Sequence, residues 1–320
     1  MTATHDQMHL VRPDVASFLG YLNALPGPRV HEVSAPEARA LTRAMRDVAD
    51  LPVGELAVNR ELTLPGPAGP IALRLFDARE QRGAGPVILF LHGGGWVFGD
   101  LHSYESVCAE LARALDLPVM AVDYRLAPEH PFPAAPDDCE AAARWVADAP
   151  AELGLQPTGL VLAGDSAGGN LAIVTALALR DAPAPLPVIA HWAIYPATDL
   201  ATPYPSFAQF GEGHFLTTDM MRWFDAAYRP DRAHPRASPL GADLAGMPPA
   251  LVTTAGLDPI RDQGRAYAAK LAHAGVAVTF REAAGMIHGS LNLRRAIPSA
   301  ASDFLADCAA LKTILTELLA

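Results

Sequence analysis

Short apolar runs alternate with helical patterns along most of the chain, and this alternation limits the fold more than any other feature. The apolar runs lie at residues 87–91, 118–122, 160–163, 188–194, 250–253 and 276–280. Helical patterns fall between or after them, at about residues 104–115, 137–147, 167–179, 261–274 and 299–319. Strands that are apolar on both sides and are joined by helices are typical of a parallel sheet covered on both faces. The sequence therefore predicts an α/β fold.

Two segments depart from this alternation. Residues 14–25 and 35–48 place apolar side chains at helical spacing, and strands with alternating apolar and polar residues follow them. Residues 198–239 form a long insertion that is rich in proline and aromatic residues and contains a helical pattern at about residues 218–228. An insertion after the carboxyl end of a strand is where a lid over a site would be placed.

The composition excludes several classes of protein. Apolar residues make up 51% of the 320 residues, which is more than a disordered chain carries. The 24 Lys and Arg against 35 Asp and Glu leave a net charge of −11, which does not suit a nucleic-acid partner. The longest apolar runs have about half the length of a membrane span, so we expect no stable membrane association.

The cysteines and the first residues predict the compartment. Cys108, Cys139 and Cys308 are odd in number and form no CxxC motif, which is typical of buried free thiols. Residues 1–7 contain neither the basic nor the apolar stretch of a secretion signal. These two features together predict a cytoplasmic protein in a reducing environment.

The sequence Gly164-Asp165-Ser166-Ala167-Gly168 matches the pattern G-x-S-x-G in the context of a catalytic serine. An apolar run precedes it and a helical pattern follows it. Side chains on either side of a sharp strand-to-helix turn would collide, so glycines flank the turn. The turn holds Ser166 above the sheet at the start of a helix, where developing negative charge is stabilised. Ser166 is therefore the predicted nucleophile.

A second glycine-rich motif, HGGGW at residues 92–96, directly follows an apolar run. Such a loop supplies backbone N–H groups to a carbonyl oxygen that becomes an oxyanion, and glycine lets the backbone approach the substrate closely. We expect Gly93, Gly94 and Ala167 to be the donors. A dinucleotide-binding loop is excluded because Phe98 occupies the position of the last required glycine.

Three other residues receive predictions from their places in the chain. His92 is expected to hold the glycine loop by hydrogen bonding and not to act as the base. Trp96 is expected to line the pocket wall, and a place in the core is the alternative. His214 lies in the long insertion and is a candidate for contact with substrate.

A serine nucleophile needs a base, and the base needs a carboxylate that orients it. Asp258 follows one predicted strand near the C-terminus, and His288 follows the next one. Both side chains would then lie at the edge of the sheet that carries Ser166. Asp262 is the rival acid, but a carboxylate in the first turn of a helix is better explained as a cap.

These motifs resemble those of the bacterial hormone-sensitive-lipase-like esterases, in the form of that family with the sequence GDSAG. Four blocks carry the resemblance: residues 92–96, residues 124–135 with the sequence YRLAPEHPFPAA, residues 164–170, and residues 258–262 with His288. The second block is long and very specific to the family. The resemblance covers most of the chain from about residue 74 onwards.

The resemblance implies an α/β-hydrolase fold with an eight-stranded, mostly parallel sheet, helices on both faces and a helical cap. The cap would comprise residues 1–53 and 198–239. The catalytic core would comprise residues 54–197 and 240–320. These boundaries agree with the two segments that depart from the alternation of strands and helices.

The resemblance also implies the reaction, which is hydrolysis of carboxylic esters with short to medium acyl chains through an acyl-enzyme. The partner is then a small-molecule ester, and neither a metal nor an organic cofactor is needed. Relatives often dimerise through the edge of the last strand, which implies a homodimer through residues 276–280. Many relatives have Gly-Phe after the histidine, whereas this chain has Gly289-Ser290. We expect looser packing or a larger pocket beside His288.

Two other classes of function are consistent with the same fold. Plant hormone receptors that resemble this family keep the serine and lose the histidine, whereas His288 is present here. A structural protein with a relic site would not retain all five parts of the site. Within the enzyme class, amides, lactones and carbamates are cleaved by the same chemistry.

Overall fold

A computed structural model describes residues 10–320, and the strands within them form a single eight-stranded sheet. The strands are β1 (Val58–Gly66), β2 (Gly69–Asp77), β3 (Gly85–Leu91), β4 (Val119–Val122), β5 (Pro157–Asp165), β6 (Val188–Ile194), β7 (Ala250–Leu257) and β8 (Val278–Ile287). Their order is β1-β2-β4-β3-β5-β6-β7-β8. The pairs β1–β2 and β2–β4 are antiparallel and the other pairs are parallel. The predicted α/β-hydrolase sheet is thus confirmed.

The helices fill the predicted positions with one addition. They are α1 (Pro13–Ala24), α2 (Ala35–Ala49), α3 (Glu105–Leu115), α4 (Ala134–Ala147), α5 (Ala167–Asp181), α6 (Pro205–Phe210), α7 (Thr218–Tyr228), α8 (Arg261–His273) and α9 (Pro298–Leu319). The short helix α6 has no counterpart among the predicted helices. None of the helices within residues 10–320 is both long and apolar enough to cross a membrane.

Two apolar layers cover the sheet, because alternate side chains of each buried strand point to opposite faces. In β5, Leu160 and Leu162 belong to the cluster that includes α4 and α5. Val161 and Ala163 belong to the cluster that includes α3 and α9. Burial on both faces explains why the central strands are continuous apolar runs without a polar side.

The strand register brings distant parts of the sequence to one edge of the sheet. In the parallel pair β3–β5, Leu91 lies beside Gly164, so the loops that follow the two strands leave the sheet together. In the pair β7–β8, Leu257 lies beside Ile287. β8 extends beyond the predicted run at 276–280, because this edge strand continues through charged and small residues that are not a continuous apolar run.

We refer to residues 10–53 and 198–239 as the cap segments. The first contains α1 and α2, and the second contains α6 and α7. Side-chain hydrogen bonds tie the first segment to the rest of the chain. Arg294 donates from Nε and Nη2 to Asp50, at 2.8 and 2.9 Å, and Arg39 donates from Nε to the carbonyl of Val97 at 2.8 Å. Residues 1–9 of the predicted cap lie outside the described residues.

Candidate active site

Ser166 directly follows β5 and has a backbone conformation that residues other than glycine rarely adopt. Its φ is 56° and its ψ is −116°, and α5 begins at the next residue. A Cβ atom on Gly164 would lie 2.4 Å from the oxygen of Gly168, and one on Gly168 would lie 1.9 Å from the oxygen of Leu91. These distances explain why both glycines are needed in the turn, which places Ser166 at the N-terminus of α5.

The three side chains predicted for catalysis lie in hydrogen-bond contact in series. Nε2 of His288 lies 2.8 Å from Oγ of Ser166, and Nδ1 of His288 lies 2.7 Å from Oδ2 of Asp258. Asp258 follows β7, and its side chain is fully buried. Its second oxygen accepts a hydrogen bond from the N–H of Ile260 at 2.8 Å. The geometry suits a tautomer in which Nδ1–H donates to Asp258 and Nε2 accepts from the serine hydroxyl.

Asp262, the rival acid, lies elsewhere and has other partners. It is in the first turn of α8, and its Oδ2 accepts from the N–H of Ser206 at 3.0 Å. Its Oδ1 accepts from Arg261 at 2.9 Å and from Arg265 at 3.3 Å. These contacts join α8 to the second cap segment, which is a structural role.

The N–H of Gly93 is engaged within the protein, and this corrects one of the predicted oxyanion donors. It donates to Oδ1 of Asp165 at 2.7 Å and also lies 3.1 Å from the hydroxyl oxygen of Tyr104. A bonded N–H is not free to meet a substrate oxygen, so Gly93 leaves the predicted set of donors.

The neighbouring N–H groups differ from that of Gly93 in their hydrogen bonding. Within the described residues, the N–H groups of Gly94, Gly95 and Ala167 have no acceptor. Gly94 and Gly95 line the cavity that contains Ser166, and their φ angles are 118° and 60°. Positive φ at two successive positions is a conformation that glycine tolerates best. Gly95 is therefore a candidate donor that was not predicted from the sequence, although it lies within the HGGGW motif.

His92 has the supporting contacts that were predicted for it. Its Nδ1 lies 2.9 Å from the carbonyl oxygen of Gly93, and its ring stacks on Tyr124 with 4.2 Å between centroids. The hydroxyl of Tyr124 donates to the carbonyl of His92 at 2.7 Å. Burial lowers the pKa of His92 to about 4, so the ring is neutral at neutral pH.

The two candidate pocket residues lie away from the nucleophile. Trp96 is buried in the core, where its ring stacks on Tyr228 with 4.3 Å between centroids and an interplanar angle of 1°. The alternative prediction of a core position is therefore the correct one. His214 packs edge-on against Phe210, with 5.4 Å between centroids, and its Nδ1 lies 2.7 Å from the carbonyl oxygen of Glu212. Gly213 and Phe215 line the cavity, whereas His214 does not.

The nucleophile opens into a cavity of about 970 Å³ that also reaches His288. Aromatic and aliphatic side chains from both cap segments form much of its wall, including Phe18, Leu22, Met45, Phe215, Met220 and Phe224. Two of these side chains pack directly on the catalytic loops. A Cβ atom on Gly95 would lie 2.3 Å from the ring of Phe224, and one on Gly289 would lie 2.7 Å from the ring of Phe215.

Ser290 lies beside a second, smaller cavity. This cavity has a volume of about 240 Å³ and is also lined by Tyr195, Leu291 and Phe304. The ring of Tyr195 packs against the ring of His288 with 4.6 Å between centroids. His288 does not line this cavity, so the larger pocket expected beside His288 stays a prediction.

The described residues contain no group of three or more His, Cys, Asp or Glu side chains that could hold a metal ion. Two thiols near the core, Cys108 and Cys139, are buried and free, as is Cys308.

Comparison with known proteins gives consistent results. The model of an alpha/beta hydrolase fold family matches residues 88–292. Carboxylic ester hydrolase LipN of Mycobacterium tuberculosis is 40% identical over 280 residues, which are 84% of this chain and 67% of that protein. Ethyl acetate hydrolase of Pseudomonas putida is 36% identical over 91% of this chain and 95% of its own length. The structure of ester hydrolase EH1AB1 from the Lake Arreo metagenome superposes with a TM-score of 0.91 at 36% identity, covering 95% of this chain and 99% of that one.

The fold and these likenesses define a class of protein, the carboxylic ester hydrolases of the serine carboxylesterase type. The chain belongs to the alpha/beta hydrolase fold family whose model it matches, and within it to the hormone-sensitive-lipase-like group of bacterial esterases. The resemblance noted in the sequence is thereby confirmed.

Proposed function

We propose that the chain hydrolyses short- to medium-chain monomeric esters with Ser166 as nucleophile, His288 as base and Asp258 as the orienting acid. The observation that carries the proposal is the series of two contacts, 2.8 Å from Ser166 to His288 and 2.7 Å from His288 to Asp258. Distances of this length are what proton transfer from serine to histidine requires.

In the proposed mechanism, Nε2 of His288 takes the proton of Ser166 as Oγ attacks the ester carbonyl carbon. Asp258 stabilises the imidazolium that forms. The N–H groups of Gly94, Gly95 and Ala167 stabilise the negative charge on the former carbonyl oxygen. His288 then protonates the departing alcohol, which leaves the acyl group on Ser166. A water molecule, deprotonated by His288, attacks this acyl-enzyme; the bond from the acyl carbon to Oγ then breaks, His288 returns the proton to Oγ of Ser166, and the acid is released.

The substrate class follows from the cavity and from a relative. The wall over Ser166 is largely apolar and partly enclosed by the cap segments, which suits the hydrocarbon part of a single ester molecule. The relative from Pseudomonas putida is called an ethyl acetate hydrolase, which is an activity on a short acyl chain. We also propose that residues 1–53 and 198–239 form the cap, and that residues 54–197 and 240–320 form the catalytic core.

The test is Ser166→Ala, assayed with p-nitrophenyl acetate, butyrate, octanoate and palmitate. We expect a loss of at least about 10³-fold in kcat with the fold unchanged, because the nucleophile is removed. Ser299→Ala is the matched control, since Ser299 lies in the first turn of α9 outside the cavity lining. A phosphonate ester should label the parent once, at Ser166, as judged by peptide mass. Parental turnover in Ser166→Ala would overturn the proposal.

A further inference from the structure

A buried arginine of the first cap segment lies within the wall of the catalytic cavity. Arg46 is on α2, and only 9% of its surface is exposed. Its Nη2 donates to the hydroxyl oxygen of Tyr104 at 3.1 Å, and its guanidinium carbon lies 4.4 Å from the centre of the Tyr104 ring. Nη1 is buried without a hydrogen-bond partner among the described residues. Within those residues Arg46 also has no carboxylate at ion-pair distance, which is unusual for a buried cation.

The hydroxyl of Tyr104 connects Arg46 to the carboxylate of Asp165. The hydroxyl of Tyr104 donates to Oδ2 of Asp165 at 3.0 Å, and the hydroxyl of Tyr195 lies 3.3 Å from the same oxygen. The other carboxylate oxygen of Asp165 accepts from the N–H of Gly93 at 2.7 Å. Asp165 is buried and immediately precedes Ser166, so it connects the nucleophile turn to the glycine loop.

We propose that Arg46 is a positioning residue for ester hydrolysis: its charge, held on Tyr104, keeps Asp165 a carboxylate and thereby anchors the N–H of Gly93. The inference rests on the proposed function, because it assigns the oxyanion to the neighbouring N–H groups of Gly94 and Gly95. A cap helix would then complete the electrostatics of a loop in the catalytic core.

The charged state of Asp165 depends on a balance. Burial raises the pKa of Asp165, and the charge of Arg46 opposes that rise, as do the hydrogen bonds from Tyr104 and Gly93. A protonated Asp165 carries a hydroxyl hydrogen on one oxygen, so it cannot accept from Gly93 and from Tyr104 as strongly as the carboxylate does. The glycine loop would then lose the carboxylate that accepts from the N–H of Gly93.

The other titratable groups that face this cluster are neutral at neutral pH. Burial raises the pKa of four of them above the ordinary value: Tyr104, Cys108, Tyr124 and Tyr195. Burial also lowers the pKa of His92, whose ring lies 5.5 Å from that of Tyr104. His288 carries a charge only when it is protonated. Of the groups named, Arg46 is therefore the one permanent cation beside Asp165.

The experiment measures kcat/KM against pH for Arg46→Gln, using p-nitrophenyl butyrate. Removing the positive charge of Arg46 is expected to raise the pKa of Asp165. The acid limb of the profile should therefore move to higher pH by about one unit. At pH values on the acid limb, Arg46→Gln should have a lower kcat/KM than the parent. At higher pH, the kcat/KM values of the two proteins should approach each other. Arg46→Lys keeps the charge and should restore the position of the limb.

Two further variants keep the test decisive. Arg43→Gln removes the same charge from the same helix, but Arg43 pairs with Asp100 at the surface, so its acid limb should stay in place. Asp165→Asn removes the titrating group, so adding Arg46→Gln to it should move the limb no further. Circular dichroism and a melting curve show whether each variant is folded.

The results separate this inference from the proposed function. An unmoved acid limb in a folded Arg46→Gln, with only a uniform fall in rate, would overturn the role of Arg46. An inactive Ser166→Ala beside that result would leave the proposed function standing. Turnover in Ser166→Ala would instead remove the proposed function itself, whatever Arg46 does.

Discussion

The strand-end loops and the cap segments surround the same cavity, but they are built in different ways. Ser166, Asp258 and His288 each occupy the first position after a strand, where the paired sheet fixes the backbone. The cap segments contribute helices that are partly exposed to solvent. Tyr21 and Val48 are among the exposed apolar side chains that line the cavity. Precise polar contacts therefore lie on rigid elements, and the apolar wall lies on elements with fewer constraints.

Two ion pairs, one in the core and one in the second cap segment, show a similar contrast in burial. In the core, Arg125 donates from Nε and from its backbone N–H to Oδ2 of the fully buried Asp138, at 2.8 and 2.9 Å. In the second cap segment, Arg222 and Asp219 are both exposed. A buried pair loses much when one partner is removed, whereas solvent replaces the partner of an exposed one. We thus expect substitutions in the core to affect chemistry and folding, and substitutions in the apolar wall of the cap segments to affect substrate choice.

The largest expected effect is that of Asp258→Asn. The amide can still occupy the space, but it favours the wrong tautomer of His288 and cannot stabilise the imidazolium, so kcat should fall about 10⁴-fold. The measurement is kcat on p-nitrophenyl butyrate, with the melting temperature as a check on the fold.

Asp262→Asn is the matched control for that prediction. Asp262 is four residues further on and bonds to Ser206, Arg261 and Arg265 in place of His288. Its kcat should stay within about threefold of the parent, since the contacts that are weakened, to Ser206, Arg261 and Arg265, do not involve His288. Equal losses in the two variants would show that the sequence analysis chose between the two acids wrongly.

The next effect in size concerns folding of the core. Asp138→Asn leaves the guanidinium of Arg125 with a neutral partner beside a buried site, so the free energy of unfolding should fall by about 3 kcal/mol. Asp137→Asn is the neighbouring control, because Asp137 pairs with Arg236 where both are partly exposed. That variant should lose less than about 1 kcal/mol. Denaturant unfolding of both proteins checks the difference, and similar losses would contradict it.

Much of the core was predictable because its signals are local. Buried parallel strands are short apolar runs, and the turn at Ser166 admits only glycine at its crowded positions. The end of β8 was missed because the apolar run at 276–280 stops before the strand does. Near Glu282, β8 continues as an edge strand, where one side faces solvent and charged residues are tolerated.

The details of the site were less predictable because they depend on contacts between distant residues. Whether the N–H of Gly93 is free depends on Asp165, which lies 72 positions further along the chain. Trp96 turns into the core because Tyr228 provides a flat surface for its ring. No local pattern encodes either pairing, so the motif identified the glycine loop but not the donors within it.

A smaller effect is expected from the wall of the cap. Phe224 lies over Gly95 and packs beside Phe98, with 5.2 Å between ring centroids. In Phe224→Ala the acetate and butyrate esters should lose about tenfold in kcat/KM, because short acyl chains lose a contact. The octanoate ester should lose less, since a longer chain fills part of the new space. The measurement is the ratio of kcat/KM values across chain lengths.

Phe215→Ala is the companion variant on the other side of the nucleophile, where Phe215 lies against Gly289. It should change the ratios among alcohol groups more than those among acyl chains, because in the proposed mechanism His288, which directly precedes Gly289, protonates the leaving alcohol. A uniform fall across all esters in both variants would contradict the contrast between core and cap. It would mean that the two rings hold the catalytic loops in place and do not select the substrate.

The smallest expected effect is that of Arg222→Gln on α7. Nη1 of Arg222 lies 3.0 Å from Oδ1 of Asp219, and the two side chains are 75% and 55% exposed. Water already hydrates both groups and screens their attraction, so the free energy of unfolding should change by less than about 0.5 kcal/mol. Denaturant unfolding beside Asp138→Asn checks this value, and kcat/KM on the butyrate ester should be unchanged. A loss as large as that of Asp138→Asn would mean that the cap depends on its individual ion pairs as strongly as the core does. The cap helices would then have to be regarded as part of the folding core, and not as a wall that can change with the substrate.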